Sequence, residues 1–172
     1  MEFVGPKGHV AYKGNGKFII TDKKTKSVHE ISPTSLRLFC GGTGVAPHLS
    51  IVRMIAMESE AGFKCLPHVS MLYGSKNEQG ILMWDELREL ETSLGASNRF
   101  SLHLTLDNES LGWNGGVGYI DVEMMQAHAP PIEGALLLVC GPRPMVQLCH
   151  DSATTLGYVC LYKGKTSAAY RS

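Results

Sequence analysis

The residues Gly41-Gly42-Thr43-Gly44-Val45-Ala46-Pro47 form the first stretch of this chain whose composition can do chemistry. They follow the short apolar run Leu36 to Cys40. They precede Leu49, Ile51, Val52, Ile55 and Ala56, which recur at helical spacing. Glycines at such a junction permit a tight turn and let backbone approach a bulky ligand closely. Pro47 suits the first turn of the helix, where a missing N–H costs little. The free N–H groups of that turn, with the helix dipole behind them, suit a diphosphate. The pattern is not a Walker loop, because no Gly-Lys-Ser/Thr follows, and it departs from the G-x-G-x-x-G spacing. On spacing alone, a plain tight turn remains the alternative.

A second loop, Asp107 to Tyr119, follows the alternating stretch Phe100 to Leu106. A carboxylate at a strand end accepts two ribose hydroxyls and repels a 2′-phosphate, which favours NAD over NADP. Tyr119 can flank an adenine face. A solvated acidic turn and a packed tyrosine are the simpler reading of the same spacing. The third loop is Cys140-Gly141-Pro142-Arg143-Pro144-Met145, at the end of the most apolar run, Ala135 to Cys140. Two prolines one residue apart stiffen the turn and fix the Cys140 thiol. Beside a nicotinamide ring that thiol is a small polarizable wall. A cysteine nucleophile is the rival and needs a histidine in reach. An inert buried cysteine is the third reading.

These loops need elements to hold them. From Ser32-Pro33 onward, short apolar runs alternate with helix-spaced stretches. Val69 to Tyr73 reads as a strand. Ile81, Leu82, Leu87 and Leu90 mark a helix with Glu86, Arg88, Glu89 and Glu91 on its wet side. A short helix runs from about Asp121 to His128, a longer one covers Pro144 to Leu156, and Tyr158 to Tyr162 is a last strand. This alternation predicts an α/β fold, a doubly wound parallel sheet of about five strands. Ligands of such sheets bind beyond the carboxyl ends of the strands, where all three loops fall. Residues 1–31 read as turns and short β pieces, with strands at Lys17 to Ile20 and Val28 to Ile31. The chain therefore divides into a short segment, 1–31, and a principal domain, 32–172.

Composition narrows the partners. Sixteen basic and 16 acidic residues give a formal net charge of +0, which argues against a nucleic-acid binder. The basic run Lys23, Lys24 and Lys26 is a solvated turn or a patch for an acidic partner. Five cysteines without a C-x-x-C pair argue against zinc and disulfides and for a reduced, cytoplasmic setting. Seven histidines without an H-x-x-x-H pair predict no metal site. No apolar run approaches the ~20 residues of a membrane span, and the first six residues do not read as a secretory signal. Met54 and Met57 read as core or core edge, and Trp84 and Trp113 as packing or partner surface. Lys76 is a surface lysine or a contact to ribose or phosphate.

Several segments together carry a resemblance. They are Phe3 to Gly8 with Tyr12 to Phe18, GGTGVAP at Gly41 to Pro47, Asn77-Glu78 with Ile81-Leu82, Thr105-Leu106-Asp107, Gly118-Tyr119-Ile120, and CGPRPM at Cys140 to Met145. From Glu2 to about Tyr158 the chain resembles the C-terminal lobe of the ferredoxin–NADP reductase superfamily, and within it the NADH–cytochrome b5 reductase family. The resemblance implies hydride transfer from NADH to a bound FAD, then single-electron transfer to a haem protein such as cytochrome b5. It implies that Gly41, Gly42, Thr43 and Gly44, with Pro47, hold the pyrophosphate, and that Asp107 reads the adenosine ribose and biases the site to NADH. Tyr119 matches an aromatic position near the adenosine. Cys140, Gly141, Pro142 and Met145 match the segment lining the nicotinamide and the route to the flavin, with Cys140 as the catalytic candidate. Lys7 and Tyr12 match the linker between lobes.

The sequence also departs from the family. Its Arg-x-Tyr-Thr-Pro and Gly-x-x-Ser flavin motifs belong upstream of Met1, so residues 1–31 are expected to be a linker and remnant of a flavin lobe, and FAD is expected not to be retained by this chain. His48 stands where the family commonly has methionine. Val28 to Ser35 fits poorly, and Leu161 to Ser172 does not resemble the family's terminal aromatic strand. A non-catalytic NAD-binding module, or a truncated lobe without activity of its own, is therefore the alternative function. An N-terminal anchor, if one exists, would place the protein on the cytoplasmic face of an organelle membrane.

Overall fold

Runs of β-branched and apolar residues fold as strands, and the helix-spaced stretches between them fold as helices. The structure, a computed structural model, describes residues 9–21, 27–95, 98–130, 132–163 and 166–171. Three short strands, β1 (Val10–Gly14), β2 (Lys17–Thr21) and β3 (Val28–Ile31), form an antiparallel sheet of their own. Then come β4 (Ser35–Gly41), α1 (Val45–Glu60), β5 (His68–Ser75), α2 (Trp84–Gly95), β6 (Phe100–Leu106) and β7 (Gly116–Val117). The chain continues through α3 (Val122–His128), β8 (Ala135–Cys140), α4 (Arg143–Thr155), β9 (Val159–Lys163) and β10 (Thr166–Arg171).

The larger sheet has the order β7-β6-β5-β4-β8-β10-β9. Its first five strands are parallel, as the strand–helix rhythm requires. The chain builds outward from β4 through β5 and β6, then returns to place β8 on the other side of β4. That reversal opens a crevice at the carboxyl ends of β4 and β8. Register brings those ends level: Cys40 pairs with Cys140, Gly41 with Gly74, and Ser75 with Leu106. The last strands differ from expectation. Too few residues separate β9 from β10 for a crossover, so they form a hairpin, and β10 runs antiparallel to β8.

Side-chain alternation on the central strands feeds two cores. Leu36 and Leu38 face one side with Val52 and Ile55 of α1 and Leu87 of α2, and Phe18 and Ile20 of β2 join them. Phe39, Leu137 and Val139 face the other side with Met125 of α3 and Val146 and Cys149 of α4. β4 is buried along its whole length, as a doubly covered strand must be. The small sheet is also tied to α1: Tyr12 Oη donates to Glu58 Oε2 at 2.5 Å, and the Asn15 N–H donates to Glu58 Oε1 at 3.0 Å.

Two expectations are corrected. Ile81 and Leu82 precede α2 instead of belonging to it. Asn77 Oδ1 caps a single 3-10 turn at Glu78–Gly80 by accepting the Gly80 N–H at 2.9 Å, and Met83 has a φ of +58°, so the helix starts only after it. Met54 and Met57 are not core: they are 44% and 69% exposed. Lys7 and the run Lys23, Lys24, Lys26 lie outside the described residues. Among the described residues no helix is long and apolar enough to cross a membrane, and no cluster of three or more metal-ligating side chains occurs.

Candidate functional site

The loop after β4 makes one 3-10 turn, Gly42–Gly44, and runs directly into α1. Its glycines have different reasons to be glycine. A Cβ on Gly44 would sit 2.0 Å from the Cys140 carbonyl oxygen, so the turn is pressed onto the end of β8. A Cβ on Gly41 would meet Met145 Sδ at 2.6 Å, and one on Gly141 would meet the same sulfur at 2.8 Å. Gly41, Gly44 and Gly141 thus let the two strand-end loops interlock beneath the Met145 thioether. Gly42 is unlike them. Its φ is +52° and nothing lies within 4 Å of where a Cβ would be. The turn therefore presents bare backbone to open space at this point.

That space is a cleft in two parts. The larger, about 560 Å³, lies over the ends of β4, β5 and β6. It is lined by Gly41, Gly42, Gly74, Ser75, Lys76, Asn77, Gly80, Thr105, Asp107, Gly118, Tyr119, Ile120, Pro142, Pro144, Met145 and Leu148. The smaller, about 330 Å³, is lined by Gly41, Gly42, Thr43, Gly44, Cys140, Gly141 and Pro142. The two share Gly41, Gly42 and Pro142, so the glycine turn stands between them. Both volumes are of the order that small-molecule and cofactor sites have, roughly 300–1,000 Å³.

Ten of the eleven candidate residues line this cleft. Pro47 does not. It is exposed in the first turn of α1 and lines neither part, so its role is confined to shaping the helix start. Asp107 is half-buried, and its N–H donates to the Ser75 carbonyl at 2.9 Å, which joins the end of β6 to that of β5. The carboxylate has no ion-pair partner among the described residues. Thr105 Oγ1 donates to the Gly118 carbonyl at 2.8 Å, and this brings Tyr119 back to the strand ends. The Tyr119 ring is 68% exposed at the cleft wall, not packed.

Cys140 is half-buried in the smaller part. Burial pushes its thiol above the ordinary value, so it is protonated at neutral pH. A thiol in that state is a poor nucleophile. Its neighbour across the sheet, Cys40, is fully buried and is pushed up further, first by burial. His48 sits in the second half of the first turn of α1, 3% exposed. Burial pushes its ring down to about 3, and Nδ1 has no partner among the described residues.

The sequence reading did not single out Gly74, Ser75, Gly80 or Leu148. Gly74 and Ser75 are the last two residues of β5 and Gly80 closes the 3-10 turn after it, a place that the end of the predicted strand marks. Leu148 falls one helical turn after Pro144, which helical spacing could have shown.

Comparison with known proteins agrees with this arrangement. Residues 38–151 match the model of the family described as oxidoreductase NAD-binding domain. NADH-cytochrome b5 reductase 1 of Bos taurus is 38% identical over 160 residues, covering 92% of this chain and 50% of that protein. NADH-cytochrome b5 reductase 2 of Xenopus laevis is 36% identical, covering 92% of this chain and 52% of that protein. The cytochrome b5 reductase domain of Ulva prolifera nitrate reductase superposes with a TM-score of 0.76 at 28% identity, over 93% of this chain and 55% of that one. The chain thus spans about half the length of the curated relatives it matches.

Proposed function

We propose that this chain, which belongs to the oxidoreductase NAD-binding domain family, is the half of an NADH-dependent flavoprotein reductase that holds NADH. The observation that carries the reading is Gly42. It offers left-handed, unobstructed backbone between two cavities, one with a carboxylate at a strand end and one with a thiol. A dinucleotide has that layout: two bulky ends joined by a diphosphate.

In this reading the N–H groups of the 42–44 turn and the start of α1 bind the pyrophosphate. Asp107 accepts the adenosine ribose hydroxyls, and Tyr119 flanks the adenine. Pro142 and Met145 hold the dinucleotide where the two parts of the cleft meet. Cys140 walls the nicotinamide end, where a neutral, polarizable thiol can sit against the ring without reacting with it. Bound flavin supplies the chemistry of accepting a hydride and releasing single electrons. Residues 1–31 are the linker toward the flavin-holding part, and the Tyr12–Glu58 bond fixes its angle to α1. A haem protein such as cytochrome b5 is the proposed acceptor, as the names of the relatives suggest.

The test is NADH oxidation by ferricyanide on the purified chain, with and without added FAD. Turnover that requires FAD is expected if this half brings nicotinamide and flavin together unaided. Turnover independent of flavin would contradict the role assigned to the cofactor.

A further inference from the structure

We infer that Lys76 is a second determinant of dinucleotide specificity, opposing Asp107 and admitting a 2′-phosphorylated nucleotide to the larger cavity. The inference rests on reading that cavity as the adenosine end of a dinucleotide site. Lys76 and Asp107 are the two charged residues that line it. They lie at neighbouring strand ends: Ser75, next to Lys76, accepts the Asp107 N–H through its carbonyl at 2.9 Å. Neither takes part in an ion pair among the described residues.

The turn that carries Lys76 is fastened on both sides. Ser75 Oγ donates to the Asn77 carbonyl at 2.8 Å, and Asn77 Oδ1 accepts the Gly80 N–H at 2.9 Å. The nearest acidic side chain along this turn, Glu78, is engaged elsewhere: its Oε1 accepts from Ser110 Oγ at 2.8 Å. Lys76 itself is exposed where it lines the cavity.

A lone carboxylate at the ribose would repel a 2′-phosphate. A lysine beside the neighbouring strand end, lining the same cavity, returns attraction to that phosphate. Lysine acts on a phosphate as a point charge, so it needs proximity more than a fixed fork geometry. The two residues together make a site with weak discrimination at the 2′ position instead of strict rejection.

The test uses probes for the adenosine end alone, 5′-AMP and adenosine 2′,5′-bisphosphate, titrated calorimetrically into the whole chain at low ionic strength. The two are expected to bind within about tenfold of each other. Lys76→Met is expected to weaken the bisphosphate about tenfold or more while changing 5′-AMP less than about twofold, with the difference shrinking as salt is raised. Binding of 5′-AMP with rejection of the bisphosphate by the unaltered chain would overturn the inference and leave the site reading intact. Equal weakening of both probes by Lys76→Met would also overturn it, assigning Lys76 to the 5′-phosphate that the two probes share. Binding of neither probe would overturn the site reading itself, and this inference with it.

Discussion

Replacing Gly42 by alanine should abolish tight dinucleotide binding while leaving the fold in place. At φ +52°, an alanine pays a left-handed backbone penalty of roughly 1–2 kcal/mol. No further steric term arises, because nothing lies within 4 Å of the new methyl. A domain of ordinary stability, about 5–15 kcal/mol, survives that loss. The ligand does not escape so lightly. The methyl occupies the point where bare backbone faces both cavities, so a diphosphate is held off the N–H groups of the turn. Each hydrogen bond to a charged group contributes about 1.5–3 kcal/mol. Losing one weakens binding about tenfold or more. Gly44→Ala is the contrast: its Cβ would lie 2.0 Å from the Cys140 carbonyl oxygen, a backbone clash that cannot be relieved by rotating a side chain. Thermal unfolding followed by circular dichroism, together with NADH titration, separates the two. Gly42→Ala should melt cooperatively within a few degrees of the unaltered chain and bind NADH at least about tenfold more weakly, whereas Gly44→Ala should be grossly destabilised. Unimpaired NADH binding by Gly42→Ala, or ready accommodation of Gly44→Ala, would refute the division of roles among these glycines.

Other outcomes follow from the same geometry. Asp107→Ala should weaken NADH and raise the affinity for NADPH relative to it, read as a ratio of dissociation constants; an unchanged ratio would remove Asp107 from the ribose. His48 is held neutral in the fold, with its pKa lowered from 6.5 to about 3. Its contribution to stability is fully present above pH 6.5 and is lost as pH falls, amounting by linkage to about 2 kcal/mol at pH 5. His48→Met should flatten the difference in urea-denaturation free energy between pH 7.5 and pH 5 by about that amount, and an unaltered pH profile would count against a buried neutral ring. Cys140 should react with iodoacetamide at pH 7 more slowly than the exposed Cys65, because burial favours its protonated form; faster alkylation of Cys140, resolved by peptide mapping, would revive the nucleophile reading.

The parallel half of the sheet was legible because each of its strands carries its own signal. Ala135 to Cys140 is too apolar for a half-exposed strand, and glycine or proline punctuates each strand-to-helix junction. The hairpin of β9 and β10 was not legible as such. Its second strand, Thr166–Arg171, has a mixed composition and gains its place by pairing with β8, a contact that local pattern does not encode. The start of α2 was misplaced for a related reason: Ile81 and Leu82 fit a helical period, but the Asn77 cap and the left-handed Met83 end the turn before the helix begins. At the site, residue types and order indicated which loops converge. They did not show that Gly41, Gly44 and Gly141 serve packing while Gly42 faces the cleft, because that depends on Met145 and the Cys140 carbonyl approaching from another strand. Pro47 was grouped with the ligand contacts because it belongs to the same motif, and the structure leaves it outside both cavities.

Calorimetric titration of NADH into the purified chain, without flavin, tests the cleft most directly. Saturable binding of one NADH per chain, displaced by 5′-AMP and weakened at least about tenfold in Gly42→Ala, is the predicted result. A chain shown to be folded by circular dichroism that takes up no NADH, or that binds it equally well with Gly42 replaced, would contradict the claim that this cleft is a dinucleotide site.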